Sequence, residues 1–468
     1  MKKIYSFLLI SCVALGFVSC AGEEDDIFST SAAERLNAAS DLYSARLTAQ
    51  PNGWAMQYYP TYDDAEPNGV GYLLLCRFNK DKTVDVSGYN WPRWYERYDT
   101  ETKEYVMDYE YVKDYREATS YWEVITDNGP VLSFNSYNTN MHWFSDPDFY
   151  SEEAEHGYGF SGDYEFIVVD APEDASYMML KGKKRGTYNL LTPIEEGIEY
   201  SSYMADVYGF QTKIFSPANP SDCRMIIGDS IYVVEDISTG LPSYYPVGSD
   251  KVTYQSFNPF LMTKRGSDYY LRFRDEFERD DMEGKLQELR YVPEEDRFVG
   301  TGNVSFRIEP ADMSEFFKRV LETGHVFTID RNAPENEMSD KMRTYMNNCQ
   351  TGLKSLNKEF VFEQVGMNYD EEIGSVKCWY RYMKKDDSAK MEFEFGHQLD
   401  GTSFQLTYQQ PSTPYAANQA SRVAAINALM TEVFSQQFVM SHVTTRFDLS
   451  KIKLTSVADP ELWFVINY

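Results

Sequence analysis

Apolar and polar positions fall into three successive rhythms along the 468-residue chain. Lys2 and Lys3 precede a mostly apolar run from Ile4 to Val18, too short to cross a bilayer core of about 30 Å, so residues 1–19 are predicted to be a secretory signal. The rhythm then becomes helical. Ser31-x-x-Glu34 reads as a capping box, and Ala32, Leu36, Ala39, Tyr43 and Leu47 recur on one helical face until Pro51-Asn-Gly53 ends the element. From Trp54 the period shortens to that of strands. Trp54–Tyr59, Tyr72–Phe78, Thr83–Ser87, Tyr121–Thr126, Val131–Ser136, Tyr164–Val169, Tyr177–Lys181 and Thr187–Leu191 alternate or run apolar between turn-forming residues. Turns at Asn79–Lys82, Asp127–Gly129 and Lys181–Gly186 make this an antiparallel meander. Its edges are most simply hidden by closure, so residues 31–200 are predicted to form a small lipocalin-like barrel.

A helical connector around Pro193 and Tyr203–Tyr208 leads into a β-rich segment, residues 201–310. Its predicted strands are Arg224–Ile227, Ile231–Glu235, Lys251–Phe257, Tyr269–Arg274, Leu286–Val292 and Asn303–Glu309. Residues 311–468 mix both periods. Met313, Phe316, Phe317 and Val320 face inward on a helix stopped by Gly324, and a second helix is predicted from Glu335 to Cys349. Strands follow at Phe360–Val365, Val376–Met383, Met391–Phe395 and Phe404–Gln409. Past Pro411-Ser-Thr-Pro414 the longest helix is predicted over Ala416–Phe438, and Leu462–Ile466 closes the chain as a strand. The expected fold is mainly β with an α+β C-terminal part.

Composition sharpens the N-terminal reading. Phe17-Val18-Ser19 before Cys20 resembles a lipobox, after which cleavage exposes a cysteine for lipidation; Leu9-Ile-Ser-Cys12 competes but would leave a very short apolar core. Cys20 is therefore the predicted lipid anchor, and residues 20–30, with Glu23-Glu24-Asp25-Asp26, an acidic tether. Losing the signal shifts the net charge from −29 to about −31, a balance that repels phosphate backbones and excludes nucleic acid as a partner. Cys76, Cys223, Cys349 and Cys378 form no C-x-x-C pair; Cys349 with Cys378 is the disulfide to test. Aromatic residues make up 16% of the chain, and such a supply serves sheet packing before ligand stacking.

Candidate chemistry is sparse. Between Ser87 and Ser120 an insertion opens on Trp91-Pro-Arg93-Trp94-Tyr-Glu-Arg97-Tyr98. It reads first as a packed hairpin over the barrel mouth. As a ligand site, Trp91, Trp94 and Tyr98 would offer flat apolar faces to a sugar or peptide, with Arg93 and Arg97 as donors. Met225-Ile-Ile-Gly-Asp-Ser230 resembles the nucleophile block of lipase and esterase families, but none of His325, His397 and His442 has an aspartate three residues before it, and a hairpin turn explains the block. His142 and His156 flank Asp146, Asp148, Glu152 and Glu153, read as an acidic surface loop rather than a cation site; Asn79 to Asp85 reads as a hairpin rather than a calcium loop. Lys181–Arg185 reads as a solvated turn. No catalytic residue, metal ligand set or cofactor site is assigned.

Asp25-Asp-Ile-Phe28, Ser31–Arg35, Asn52-Gly-Trp54, Gly129–Phe134, Met141–Phe144, Gly162–Phe166 and Leu180–Gly186 stand together in this order. In that combination the chain resembles, best over residues 20–200, a family of Bacteroidetes surface lipoproteins known only as a domain of unknown function. Lys82 departs from it, since relatives commonly have glycine in that turn. Glu23–Asp26 behind Cys20 resembles the acidic export signal of such lipoproteins. The resemblance implies an outer-membrane, lipid-anchored protein facing the cell exterior. It implies further an accessory to a starch-utilisation-type import system with a TonB-dependent transporter, and supplies no catalytic residues. The expectation is a non-catalytic binder of a glycan or peptide; the alternative is a surface hydrolase acting on polysaccharide or ester substrates.

Overall fold

The computed structural model describes residues 30–63, 69–100, 103–127, 129–146, 160–215, 223–278, 282 and 284–467. The predicted signal, Cys20 and the Glu23–Asp26 string lie outside the described residues. The molecule is mainly β, built as three antiparallel meanders in chain order, each entered through helix.

The first helix, Ala32–Leu47, begins where the capping box predicts: Glu34 N–H donates to Ser31 Oγ at 3.2 Å, and Ser31 N–H to Glu34 Oε2 at 2.9 Å. Ser40 and Arg46 tie it to the carbonyls of Val124 and Ala171. Nine strands follow: Trp54–Tyr58, Tyr72–Phe78, Thr83–Tyr98, Tyr105–Tyr121, Glu123–Thr126, Pro130–Ser133, Glu165–Asp170, Met178–Gly182 and Tyr188–Pro193. Trp54–Tyr58 pairs with both its successor and the last strand, from Trp54↔Pro193 to Gln57↔Leu190. The two outermost strands of this sheet, Tyr105–Tyr121 and Glu123–Thr126, are consecutive in the chain, interrupted only at Trp122. There the backbone bonds to both sides: Trp122 N–H donates to Lys82 O at 2.9 Å, and Tyr121 O accepts from Asn135 N–H at 3.1 Å. The sheet thus curls into a half-barrel whose outer strands meet only at this joint, short of the closed barrel expected for residues 31–200. The Ser87–Ser120 insertion is the outer part of one long hairpin, paired from Thr83↔Tyr121 to Tyr98↔Tyr105.

The second unit repeats this plan. Helix Tyr200–Ile214 precedes strands Cys223–Ile227, Ser230–Glu235, Ser243–Pro246, Ser256–Phe257, Phe260–Arg265, Asp268–Phe277, Leu286–Val292, Arg297–Gly300 and Phe306–Pro310, the first paired with the last. Its outermost strands are again consecutive, broken at Asn258-Pro259, where proline has no N–H to give. Asn258 N–H donates to Pro242 O on one side, and Pro259 O accepts from Arg274 N–H on the other. The strand predicted over Lys251–Phe257 is corrected: Asp250 caps a single helical turn, Lys251–Tyr254, and only Ser256–Phe257 remains extended.

The third unit is helix plus sheet as expected, and its sheet is a closed eight-stranded barrel, sealed where Thr328 pairs with Asn467. Helices Met313–Glu322 and Asp340–Leu356 press Phe316, Phe317, Met342, Met346 and Leu353 into its core. The second of these starts later than the predicted Glu335, at the Ser339 cap. The long helix predicted over Ala416–Phe438 is broken: Pro414–Arg422 ends at Val423, Ala424–Ala428 and a wide turn through Phe434 follow, and Gln437–His442 is a strand. Val423 leaves helical geometry at φ −121° to pack onto Gly352, where a Cβ would come within 2.4 Å of its Cγ1. The apolar residues of this segment, Ile426, Met430, Val433 and Phe434, are core nonetheless.

Helix Tyr200–Ile214 is wedged between the first two units. Tyr203, Met204, Val207 and Ile214 share one core with Ala55, Leu73 and Leu75 of the first sheet and Phe260, Phe273 and Phe298 of the second. Hence Trp54–Tyr58 is buried on both faces: Trp54, Met56 and Tyr58 line the first core, and Ala55 faces the wedge. No described helix is long and apolar enough to cross a membrane.

Candidate functional site

Of the predicted ligand-binding group, Trp91 requires correction. It is 1% exposed, its Nε1–H donates to Asp114 O at 2.9 Å, and its ring packs 5.8 Å from Trp143. Arg116 covers both indoles, 5.4 and 5.2 Å from their ring centres. Gly88 makes the room, since a Cβ there would lie 2.5 Å from Trp91 Cζ2. Trp91 is therefore a core residue with no face to offer. The side chains of Arg93 and Trp94 lie outside the described residues. Tyr98 is half exposed and meets Tyr105 edge-on across the hairpin at 5.3 Å.

Other motifs resolve into local structure. Ser230 pairs with Ile227 across a turn in which Gly228 has φ +56°, the geometry that glycine supplies without steric cost. At Asn79–Asp85, Lys82 takes φ +68° and spreads over the Trp122 ring at 4.6 Å, while Asp81 accepts from Thr83 N–H. Both are hairpins. The Lys181–Arg185 turn wraps the buried Asp163, whose two oxygens accept from Lys184 N–H at 2.9 Å and Arg185 N–H at 2.7 Å. Burial nonetheless pushes the Asp163 carboxyl up. Cys76, Cys223, Cys349 and Cys378 are all buried free thiols, so the Cys349–Cys378 disulfide is not formed. Among the described residues no three His, Cys, Asp or Glu side chains are grouped to hold a metal. His156 and its acidic neighbours lie outside the described residues.

Burial depresses the pKa of His142, His325, His397 and His442 from the ordinary 6.5, because a half-buried imidazole resists becoming a cation. His142 illustrates it: Nδ1 accepts from Asn138 N–H at 3.1 Å while the ring stacks on Tyr164 at 4.6 Å. The unfolded chain then binds more protons than the folded one between the depressed and ordinary values, so stability is lost as pH falls through that window. The urea midpoint is expected to drop between about pH 7 and about pH 5, less so in His142→Asn. A flat midpoint across that range would refute this.

A groove of about 660 Å³ lies between helix Tyr200–Ile214 and the second sheet. Phe210 and Tyr269 stack at 3.8 Å and 10°, and Tyr291 meets Phe210 edge-on at 4.9 Å. Tyr291 O–H donates to Asp296 Oδ1 at 2.6 Å. Burial raises both phenols, so they stay neutral donors at ordinary pH. Asp206, paired with Lys264, and Asp268, 3.5 Å from Arg290, stand at the rim with the exposed Lys213. An aromatic wall with polar groups at its lip can hold a molecule with one apolar face and several hydroxyl or amide groups. Sequence reasoning missed it because its residues come from three separate segments. The one signal was Phe210, which falls outside the buried stripe of its helix.

No curated protein matches this chain. Among solved structures, intact Ap-TbpB with its N and C lobes aligns over 88% of this chain and 74% of that one at 7% identity. Its TM-score of 0.11 is too low to carry any argument. The profile of a domain of unknown function, DUF4302, matches residues 24–283, ending inside the second sheet. That match takes in more than half of the chain, so the protein belongs to the DUF4302 family, whose function is unknown.

Proposed function

We propose that this protein is a non-catalytic, cell-surface lipoprotein of the outer membrane, anchored through Cys20, that binds a glycan or peptide for an import complex with a TonB-dependent transporter. The observation that supports binding is the Phe210–Tyr269–Tyr291 groove with Asp206, Asp268 and Lys213 at its lip. The anchor rests on the apolar run before Cys20 and the acidic string behind it.

The reading is tested with the mature protein on panels of soluble glycans and peptides. Binding is expected without turnover, and Tyr269→Ala should weaken it about tenfold, the scale of a lost stacking contact. Equal binding by the wild type and Tyr269→Ala removes the groove from the proposal. Product release that disappears in Ser230→Ala would replace it with the hydrolase alternative. Labelling with a palmitate analogue should be lost in Cys20→Ser; an unlabelled wild type refutes the anchor.

A further inference from the structure

Two contacts clamp the facing sheets of the first two units along their seam. At one end Tyr59 Oη donates to Arg272 O at 3.1 Å, and a Cβ on Gly71 would meet both Leu261 and the Tyr59 ring. At the other, Gly266 N–H donates to Glu195 Oε1. Side chains alternate across a strand, so the register fixes which of them meet between the clamps. Gln57 shares a face with Ala55 and Tyr59, both in the core that helix Tyr200–Ile214 joins to the second sheet, and Thr192 stands opposite Ala55 on the adjoining strand. From the second sheet, Thr263 and Arg265 share the face of Leu261, which is paired with Arg272.

Between the clamps the seam is polar. Gln57 and Thr263 are fully buried, and Thr192 and Arg272 are 5% and 6% exposed. Among the described residues, both ends of the Gln57 amide, the hydroxyls of Thr192 and Thr263, Arg265 Nε and Arg272 Nη1 have no hydrogen-bond partner. Buried polar groups are costly unless something bonds them, and a buried charge more so. Arg272 is the most demanding of the set. Its Nη2 donates to the neutral amide of Gln287, whereas the neighbouring Glu288 is taken by Arg265. Desolvation pulls the Arg272 pKa down, so the carboxylates of Glu288 and Glu276 do not offset the cost of burying its charge. Of the unpartnered atoms, all but Gln57 Oε1 can donate. Water would satisfy such donors yet leave the guanidinium charge unbalanced; an anion does both. The sheets approach closely at Gly71, where a Cβ would lie 2.5 Å from Leu261 Cγ, which favours a monatomic ion over a carboxylate or phosphate group.

We propose that this seam holds one small monovalent anion of halide size on Arg272 Nη1, Gln57 Nε2 and the Thr263 hydroxyl, with water on Gln57 Oε1, and that the ion pins the first two units together. This goes beyond glycan or peptide capture in the Tyr269 groove and does not depend on it.

Two measurements on the mature protein test it. Crystals grown in bromide should give an anomalous peak within about 3.5 Å of Arg272 Nη1. Water there without anomalous signal overturns the proposal. In solution at constant ionic strength, replacing gluconate by bromide should raise the thermal midpoint by about 2 °C or more, as an ion held only by the folded state requires. Thr263→Val keeps the side-chain shape and removes one donor, so it should reduce that rise; Arg272→Met should abolish it. Should Arg272→Met fail to fold, Thr263→Val decides alone. Tyr269→Ala should keep the full rise, which separates this site from the groove. No rise in the wild type, or a rise that Thr263→Val leaves unchanged, overturns the proposal.

Discussion

Phe447→Ala is expected to destabilise the second unit by about 3–5 kcal/mol, the range for deleting a buried phenylalanine, although residue 447 belongs to the third. The loop between strands Gln437–His442 and Lys451–Ser456 faces two ways. Leu449 is 2% exposed in the core of the closed barrel, whereas Phe447, 3% exposed, lies in the core of its neighbour. There its ring meets Phe215 at 5.6 Å and Phe298 at 6.2 Å. Polar contacts fix the insertion: Arg446 N–H donates to Asp296 Oδ2 at 2.6 Å, and its guanidinium to Glu295 O at 3.3 Å. The change therefore opens a cavity in one unit and loosens the docking of another. Hydrogen exchange resolved by segment should show strands Leu286–Val292 and Arg297–Gly300 exchanging faster in Phe447→Ala, with Phe447→Leu close to wild type. Unchanged protection in those strands would show that Phe447 is not part of that core.

Gly53→Ala is expected to cost about 3 kcal/mol, the sum of a backbone and a packing effect. Gly53 has φ +73°, and a Cβ would stand 2.4 Å from Tyr200 Oη and 2.5 Å from Cys76 O. The carbonyl belongs to a strand paired at Trp54↔Cys76 and has nowhere to go. Tyr200 is equally held, donating to Asn52 O at 2.8 Å under the Arg77 guanidinium at 4.9 Å. Asn52 in turn donates to Glu195 O and Ile198 O, both at 2.8 Å. Gly197→Ala is the control: φ is +83° there but nothing lies within 4 Å, so only the backbone term of about 1–2 kcal/mol applies. Comparable urea midpoints for the two variants would show that the close approach at Gly53 is tolerated.

Elements set by neighbouring residues were legible in the sequence. Ser31 and Glu34 announce their helix, and the alternation through Trp54–Tyr58 and Tyr72–Phe78 announces strands, because a cap or a pleat needs only residues a few positions away. Features decided by distant partners were not. The break at Val423 depends on the absent Cβ of Gly352, and the long hairpin hides Trp91 because Gly88 and Arg116 give it a slot and a cover. In sequence Trp91 stood among arginines and tyrosines, read first as part of a packed hairpin and second as a ligand platform; the fold puts it in the core. The groove was illegible for the same reason, since Phe210, Tyr269 and Tyr291 meet only once the second sheet has rolled up.

The wedged helix Tyr200–Ile214 also governs how this chain can be divided. A fragment stopping at Pro193 would leave Ala55, Leu73 and Leu75 wet along one flank, while one starting at Cys223 would uncover the opposite side of the seam. Either cut would strip apolar surface from a seam that both units line, so the two rolls are best expressed together.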